Sequence, residues 1–300
     1  MERILEYTIT PAAQGVTILD FLRDQGFSRR ILSSMKEDRQ AILLNGTPAF
    51  GRTILKAADH LRIRVRETEA AGRILPCPMK LDILFEDEDI LILNKPADTP
   101  IHPSIGNYTN TLANGAAYYY AAKGEPFVYR CINRLDRDTT GALILAKNPL
   151  SAAILSQQMK SRQIKRTYLA VVEGLLPPKG TIRAPIARAD ASLIERKVDF
   201  ARGENAVTHY ECLETRNGYS LAELHLETGR THQIRVHMGY IGHPLPGDYL
   251  YHPVYDRFLT LPLHSYQLEF LHPITKEPML FTAPVPRVLK DAFEGKLSPF

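Results

Sequence analysis

The chain has 300 residues, 44% hydrophobic and 23% charged, with 37 Lys/Arg against 33 Asp/Glu and a net charge of +4. This composition suits a soluble globular protein able to bury a sizeable core, of one large domain or of a small domain plus a larger one. No apolar run reaches membrane-span length, and Met1–Tyr7 lacks the core of a secretory signal. Cys77, Cys131 and Cys212 are scattered without a C-x-x-C pair. That usage excludes a disulfide framework and a cysteine zinc site, and the cytoplasm is the expected compartment.

Charge is unevenly placed. Residues 1–66 hold 11 Lys/Arg and 7 Asp/Glu, while the remainder is formally neutral. A small basic head on a neutral body suits a polyanionic partner. Within the head, Thr17 is placed to cap a helix over 18–23 that ends at Gly26, and Ser28 to cap a second over 29–36. Ala41–Leu44 reads as a strand entering an Asn45-Gly46 turn. Leu61–Arg66 alternates strictly, so its apolar side chains face one way and Arg62, Arg64 and Arg66 the other, giving one basic sheet face. These three arginines, with Arg29 and Arg30, are the expected polyanion contacts of the head. Residues 67–80 lose periodicity, contain Pro76 and Pro78, and read as a linker between a 1–66 domain and an 81–300 domain.

The body opens as strand, acidic turn and strand over 81–93, with Glu86–Asp89 expected to be a solvated hairpin. Residues 133–141, Asn-Arg-Leu-Asp-Arg-Asp-Thr-Thr-Gly, set Asp136 between Arg134 and Arg137 just before an apolar strand, Ala142–Ala146. An acid at the mouth of a strand has the rigid support a catalytic group needs, and flanking guanidiniums suit a nucleophile better than a proton donor. Spacing alone fits a structural ion pair in a turn better. Asn148-Pro149 starts a helix running to about Met159. Strands are expected at 164–173, 206–213, 220–227, 232–238, 265–271 and 279–283. Many strands, few helices and no regular βαβ alternation predict an α+β fold with a mixed, largely antiparallel sheet.

Two resemblances sharpen this reading. The head is similar to the S-four-like αL RNA-binding module, through Ser28-Arg29-Arg30, Leu44-Asn45-Gly46 and Asp59–Ile63, although Lys36–Gln40 lacks its usual glycine. The body, over residues 81–290, resembles the RluA-type pseudouridine synthases. The matching patches are Glu86–Asp89 with Asn94–Ala97 and Ile101-His102-Pro103, then Arg134–Gly141, Lys165–Gly174, and Thr228–His237 followed by Gly242-His243-Pro244 and Gly247-Asp248. An echo follows at Leu263-His264 and Phe270–Thr275.

The resemblance implies that Asp136 is the essential catalytic aspartate, Arg235 its orienting ion-pair partner and Tyr168 an aromatic wall against the target uracil. It implies substrate contacts at Arg134, Arg137, Arg230, His232, Gln233, Lys95 and His102, with Arg134 filling the gap left by the extruded uridine. Isomerising uridine breaks a glycosidic bond, turns the uracil and rejoins it through carbon. The aspartate could attack the sugar, attack the ring or promote elimination. No redox step occurs, so no cofactor and no metal is expected. RNA, ribosomal or transfer, is the implied partner, and nothing demands more than a monomer.

Each residue also has a plainer reading. Tyr168 lies in an apolar strand and fits a core position. Arg230 and Arg235, an odd number apart on a strand, would face opposite ways. His232, His237, His243 and His252 lack metal-ligand spacing. Asn133 and Asp98 stand where many family members have histidine and glycine, and Thr140 where serine is commoner. The alternatives to an RNA pseudouridine synthase are a catalytically silent RNA-binding protein or chaperone on the same scaffold, and a hydrolase, for which a second carboxylate or metal set is lacking.

Overall fold

The computed structural model describes residues 2–67, 74–190, 192–253 and 260–291. Its chain opens with β1 (Glu2–Thr8), which the sequence reading lacked, followed by α1 (Ile18–Asp24) and α2 (Arg29–Ser34). The Thr17 and Ser28 hydroxyls accept from Asp20 N and Ile31 N, so both helices start where their caps place them. β2 (Ile42–Leu44) and β3 (Thr47–Pro48) flank the Asn45-Gly46 turn, whose φ angles of 52° and 78° suit those residue types. β4 (His60–Arg66) buries Leu61, Ile63 and Val65 and completes a sheet of order β1-β4-β2-β3.

The expected basic sheet face is corrected by β1. Antiparallel pairing sets Glu6 opposite Arg62 and Glu2 opposite Arg66, giving ion pairs of 3.7 and 2.8 Å, and Asp38 takes Arg64 at 2.7 Å. That face is charge-paired. Arg29 and Arg30, by contrast, are exposed and make no ion pair among the described residues.

Residues 74–80 lie along the body. The Asn114 side chain donates to Leu75 O at 2.8 Å, Cys77 N donates to Asn114 O, and Ile74 and Met79 pack on the main core. The body then runs β5 (Ile83–Glu86), β6 (Ile90–Lys95), α3 (Leu112–Ala122), β7 (Thr140–Ala146), α4 (Pro149–Lys160), β8 (Lys165–Glu173) and β9 (Lys179–Arg183). A two-stranded ribbon follows, β10 (Ile186–Arg188) with β11 (Arg196–Val198). After it come β12 (Val207–Arg216), β13 (Tyr219–Leu226), α5 (Gln233–Tyr240), β14 (Leu263–Leu271), β15 (Pro278–Thr282) and α6 (Arg287–Asp291).

Nine strands form the main sheet in the order β5-β6-β7-β14-β8-β13-β12-β9, with β15 added on β14. The fold is thus α+β with a largely antiparallel sheet, and β7 beside β14 is its parallel pair. At that seam Gly141 has φ of 107°, and a Cβ there would overlap the Ser265 backbone, so only glycine lets the two strands approach. One core cluster, with Leu91, Leu143, Tyr168, Leu224 and Ile234, lies beneath the site; another, with Ile92, Ile144, Leu155 and Phe270, lies on the other sheet face.

Two expectations fail here. Residues 232–238 are not a strand. Ile234, Val236 and Met238 alternate as a strand would, yet the segment is buried on nearly every side as α5, with Ile234 and Met238 on one core and Val236 on another. Glu86–Asp89 is solvated only at Glu88, whose side chain is 77% exposed. Glu86 accepts from Tyr119, Tyr120 and Lys147, Asp87 from His272, and Asp89, 2% exposed, from Arg3, Asn148 and Ser151. Asp87, Asp89 and His272 converge within 4.8 Å, but these protein donors already occupy them.

Candidate active site

Asp136 lies in the loop that enters β7, and that loop is held from behind. Asn133, 2% exposed, accepts from Ile144 N at 2.8 Å and donates to Ala142 O at 3.2 Å, tying the loop to β7. Lys95, 1% exposed, gives its three protons to Pro96 O, Thr99 O and Arg137 O at 2.7, 2.9 and 2.7 Å. Burial pulls its ammonium down to about 7, against the nearby carboxylates of Asp138 and Asp136. The substrate-contact expectation for Lys95 is therefore corrected: no donor and almost no surface is left for a ligand.

In front of the loop lies a cleft of about 550 Å³, walled by residues 132–136 and 139, the end of α4, Arg166 and Tyr168 of β8, and segment 226–235. Its volume is that of a small-ligand site. Tyr168 is 4% exposed and belongs both to the core and to the cleft wall, so the plainer reading and the functional one hold together. Burial pushes its phenol up.

Arg235 reaches the cleft from α5. Its Nη1 lies 3.4 Å from Asp136 Oδ2, while Nε and Nη2 donate to the two oxygens of Asp248 at 2.7 Å each. Because Arg235 is helical and Arg230 sits in the preceding loop, the opposite-faces argument does not apply. Tyr251 lays its ring 4.9 Å from the Arg235 guanidinium, and its hydroxyl meets His232 Nδ1 at 2.7 Å. His232, at φ 58° where the loop turns into α5, sets Nε2 4.0 Å from Asp136 Oδ2, and burial lowers its pKa. Carboxylate, guanidinium, imidazole and phenol thus converge on one end of a cleft whose side is aromatic.

The RNA pseudouridylate synthase family model matches residues 89–240, a span that contains Asp136, Tyr168 and Arg235. The chain belongs to this family. It is an RNA pseudouridine synthase of the RluA type, an isomerase. YjbO of Bacillus subtilis, described as an uncharacterized RNA pseudouridine synthase, is 38% identical over 282 residues, covering 94% of this chain and 99% of YjbO. Ribosomal large subunit pseudouridine synthase D of Neisseria meningitidis is 36% identical over 258 residues, 82% of this chain and 69% of that protein. Among solved structures, human RNA pseudouridylate synthase domain containing 1 is 28% identical with a TM-score of 0.58, covering 68% of this chain and 83% of that one.

The residues expected at the site of this pseudouridine synthase divide into those that line the cleft and those that support it. Arg134 is exposed at the cleft mouth. Arg137 turns away to Asp98 at 3.1 Å and Asp138 at 3.4 Å. Arg230 lines the cleft while pairing with Glu204. Gln233 is corrected to a structural role: 3% exposed, it accepts from Thr228 and Arg230 N and donates to Val207 O and Thr208. His102 stands outside the wall, edge-on to Tyr129. Sequence reasoning missed Asp248 and Tyr251. The Gly247-Asp248 pair was visible as a motif, but nothing in its spacing tied it to Arg235.

Proposed function

We propose that this synthase converts a uridine of ribosomal RNA to pseudouridine with Asp136 as the essential group. The observation that carries the reading is Asp136 in the wall of the Tyr168 cleft, 3.4 Å from the buried Arg235 guanidinium. The target base must first leave its stack, at a cost of about a few kcal/mol, and a stacking aromatic wall recovers about 1–3 kcal/mol of it. Asp136 then assists scission of the bond between the sugar and uracil N1, the base turns, and uracil C5 bonds to the same sugar carbon. The C5 proton is lost and N1 gains one, so the net change is an isomerisation. No electrons enter or leave, and no cofactor or metal is required.

The large ribosomal subunit is the favoured substrate because several relatives are named for it. Residues 1–66 act as an RNA-binding domain of the S-four-like kind, with Arg29 and Arg30 among its cations that make no ion pair with the described residues. The protein works in the cytoplasm, a reading supported by its unpaired cysteines.

The test compares wild type with Asp136→Asn on ribosomal and transfer RNA from cells lacking the enzyme, with pseudouridine mapped base by base. Wild type restores a discrete site, and the variant is slowed about a thousand-fold or more while still binding RNA. Undiminished modification by Asp136→Asn removes the aspartate from the mechanism. Binding without modification by either protein favours the chaperone reading.

A further inference from the structure

Beside the uridine cleft lies a second, polar pocket of about 370 Å³, enclosed by the β10–β11 ribbon and the loop before α5. The two share Gly229 and Arg230 as a common rim. Four guanidiniums face the second pocket: Arg188, Arg196, Arg202 and Arg230. Two are committed. Arg230 pairs with Glu204, and Arg202 pairs with Asp190 at 2.8 Å and Asp199 at 3.0 Å.

Arg188 and Arg196 differ. They stand directly opposite one another in the ribbon register and so share a face. Neither makes an ion pair among the described residues; the Arg196 side chain donates to the carbonyls of Ile194 and Glu195, at 3.2 and 3.0 Å. Like charges set across an antiparallel pair repel, and an anion between them removes that repulsion. The ribbon is also fixed relative to the catalytic carboxylate. Arg196 N donates to Tyr251 Oη at 2.8 Å, Tyr251 Oη meets His232 at 2.7 Å, and His232 faces Asp136 at 4.0 Å.

We propose that Arg188 and Arg196, with Arg230 at the shared rim, form a phosphate subsite that grips the RNA backbone next to the uridine lodged in the cleft. The anion is a backbone phosphodiester, because the pocket adjoins the cleft that receives the nucleoside, sharing Gly229 and Arg230 with it, and the guanidinium fork matches phosphate oxygens. The inference rests on the RNA reading of that cleft. It adds a handle that positions the strand while the neighbouring base is out of its stack.

The test uses the full chain and large-subunit ribosomal RNA transcribed in vitro, hence unmodified. Binding is measured across a salt series in the Asp136→Asn background, so that this readout is independent of turnover. Arg188→Gln/Arg196→Gln is expected to flatten the log–log salt slope by about 1–2 and, in the active enzyme, to raise KM about ten-fold or more, beyond any change in kcat. Arg188→Lys/Arg196→Lys retains the charges and restores most of the slope. An unchanged slope and KM overturn the subsite. So does a fall in kcat alone, which would mean the ribbon acts only through Tyr251. Equal loss of slope in the glutamine and lysine pairs marks a distorted ribbon and also overturns it. If wild type modifies no RNA, the isomerase substrate reading fails, and the salt-slope comparison still decides the subsite.

Discussion

Arg235 divides its fork unequally between two carboxylates. The bidentate side goes to Asp248, whose side chain is 1% exposed, and a single longer contact reaches Asp136, whose side chain is 26% exposed. Asp248 thus balances the buried charge, and Asp136 is oriented from one side with its remaining lone pairs open to the cleft. Removing one partner of a buried pair strands the other charge. Asp248→Ala is therefore expected to lower stability by about 3–5 kcal/mol, measured by urea unfolding, and to depress turnover by freeing the fork that positions Asp136. A stability loss below about 1 kcal/mol would show that Arg235 finds another acceptor. Sequence neighbours misled at this scale. Arg137, adjacent to Asp136, faces Asp98, which sits at φ 51° in its own turn. Adjacent residues on an irregular loop diverge, whereas Arg235, about a hundred positions on, converges.

Among elements, the β7–β14 seam sets where the catalytic loop ends. His264 on β14 is fully buried opposite Thr140, and its Nδ1 meets the Thr140 hydroxyl at 2.7 Å. Burial lowers the His264 pKa to about 4 from the ordinary 6.5. The folded protein therefore holds this imidazole neutral where the unfolded chain would protonate it, so stability is lost as pH falls from 6.5 towards 4. Urea unfolding at pH 7 and pH 5 should differ by about 2 kcal/mol through this group, and His264→Gln should shrink that difference. A variant with the wild-type pH dependence would assign the loss to other groups. Thr140, which stands where serine is commoner, keeps the hydroxyl this contact needs. α5 shows the limit of pattern at this scale: its alternate apolar residues fit a strand, but two separate cores claim opposite sides of the helix.

In the whole molecule, head and body are joined by more than their connection. Leu150 of α4 is buried in the head's apolar cluster with Ala153 and Ile154 against it, and Arg3 of β1 reaches Asp89 at 2.9 Å. Deleting residues 1–66 would expose Leu150 and strand a buried aspartate, confusing RNA binding with stability. Point substitutions separate the two. Arg3→Met is expected to cost about 3 kcal/mol of stability by removing the counter-charge of Asp89, which keeps only the neutral donors Asn148 and Ser151. Arg29→Gln/Arg30→Gln should leave the unfolding midpoint within about 0.5 kcal/mol yet flatten the salt dependence of RNA binding by about 1–2. An unchanged salt slope would remove these arginines from the RNA surface.

Local signals were decisive wherever one segment sufficed. Caps at Thr17, Ser28 and Asn148, the Asn45-Gly46 turn, alternation in β4 and the motifs holding Asp136, Tyr168 and Arg235 were all legible in the chain, because each depends on residues a few positions apart. Pairing between distant segments was not. Only the tertiary structure set Glu2 and Glu6 against the β4 arginines, Asp248 and Tyr251 around Arg235, Lys95 behind the site, and the Gln233 amide into hydrogen bonds that hold the cleft wall. The physical reason is the same in each case. A charge or hydrogen-bonding group is defined by what surrounds it in space, and folding, not spacing along the chain, brings those surroundings together.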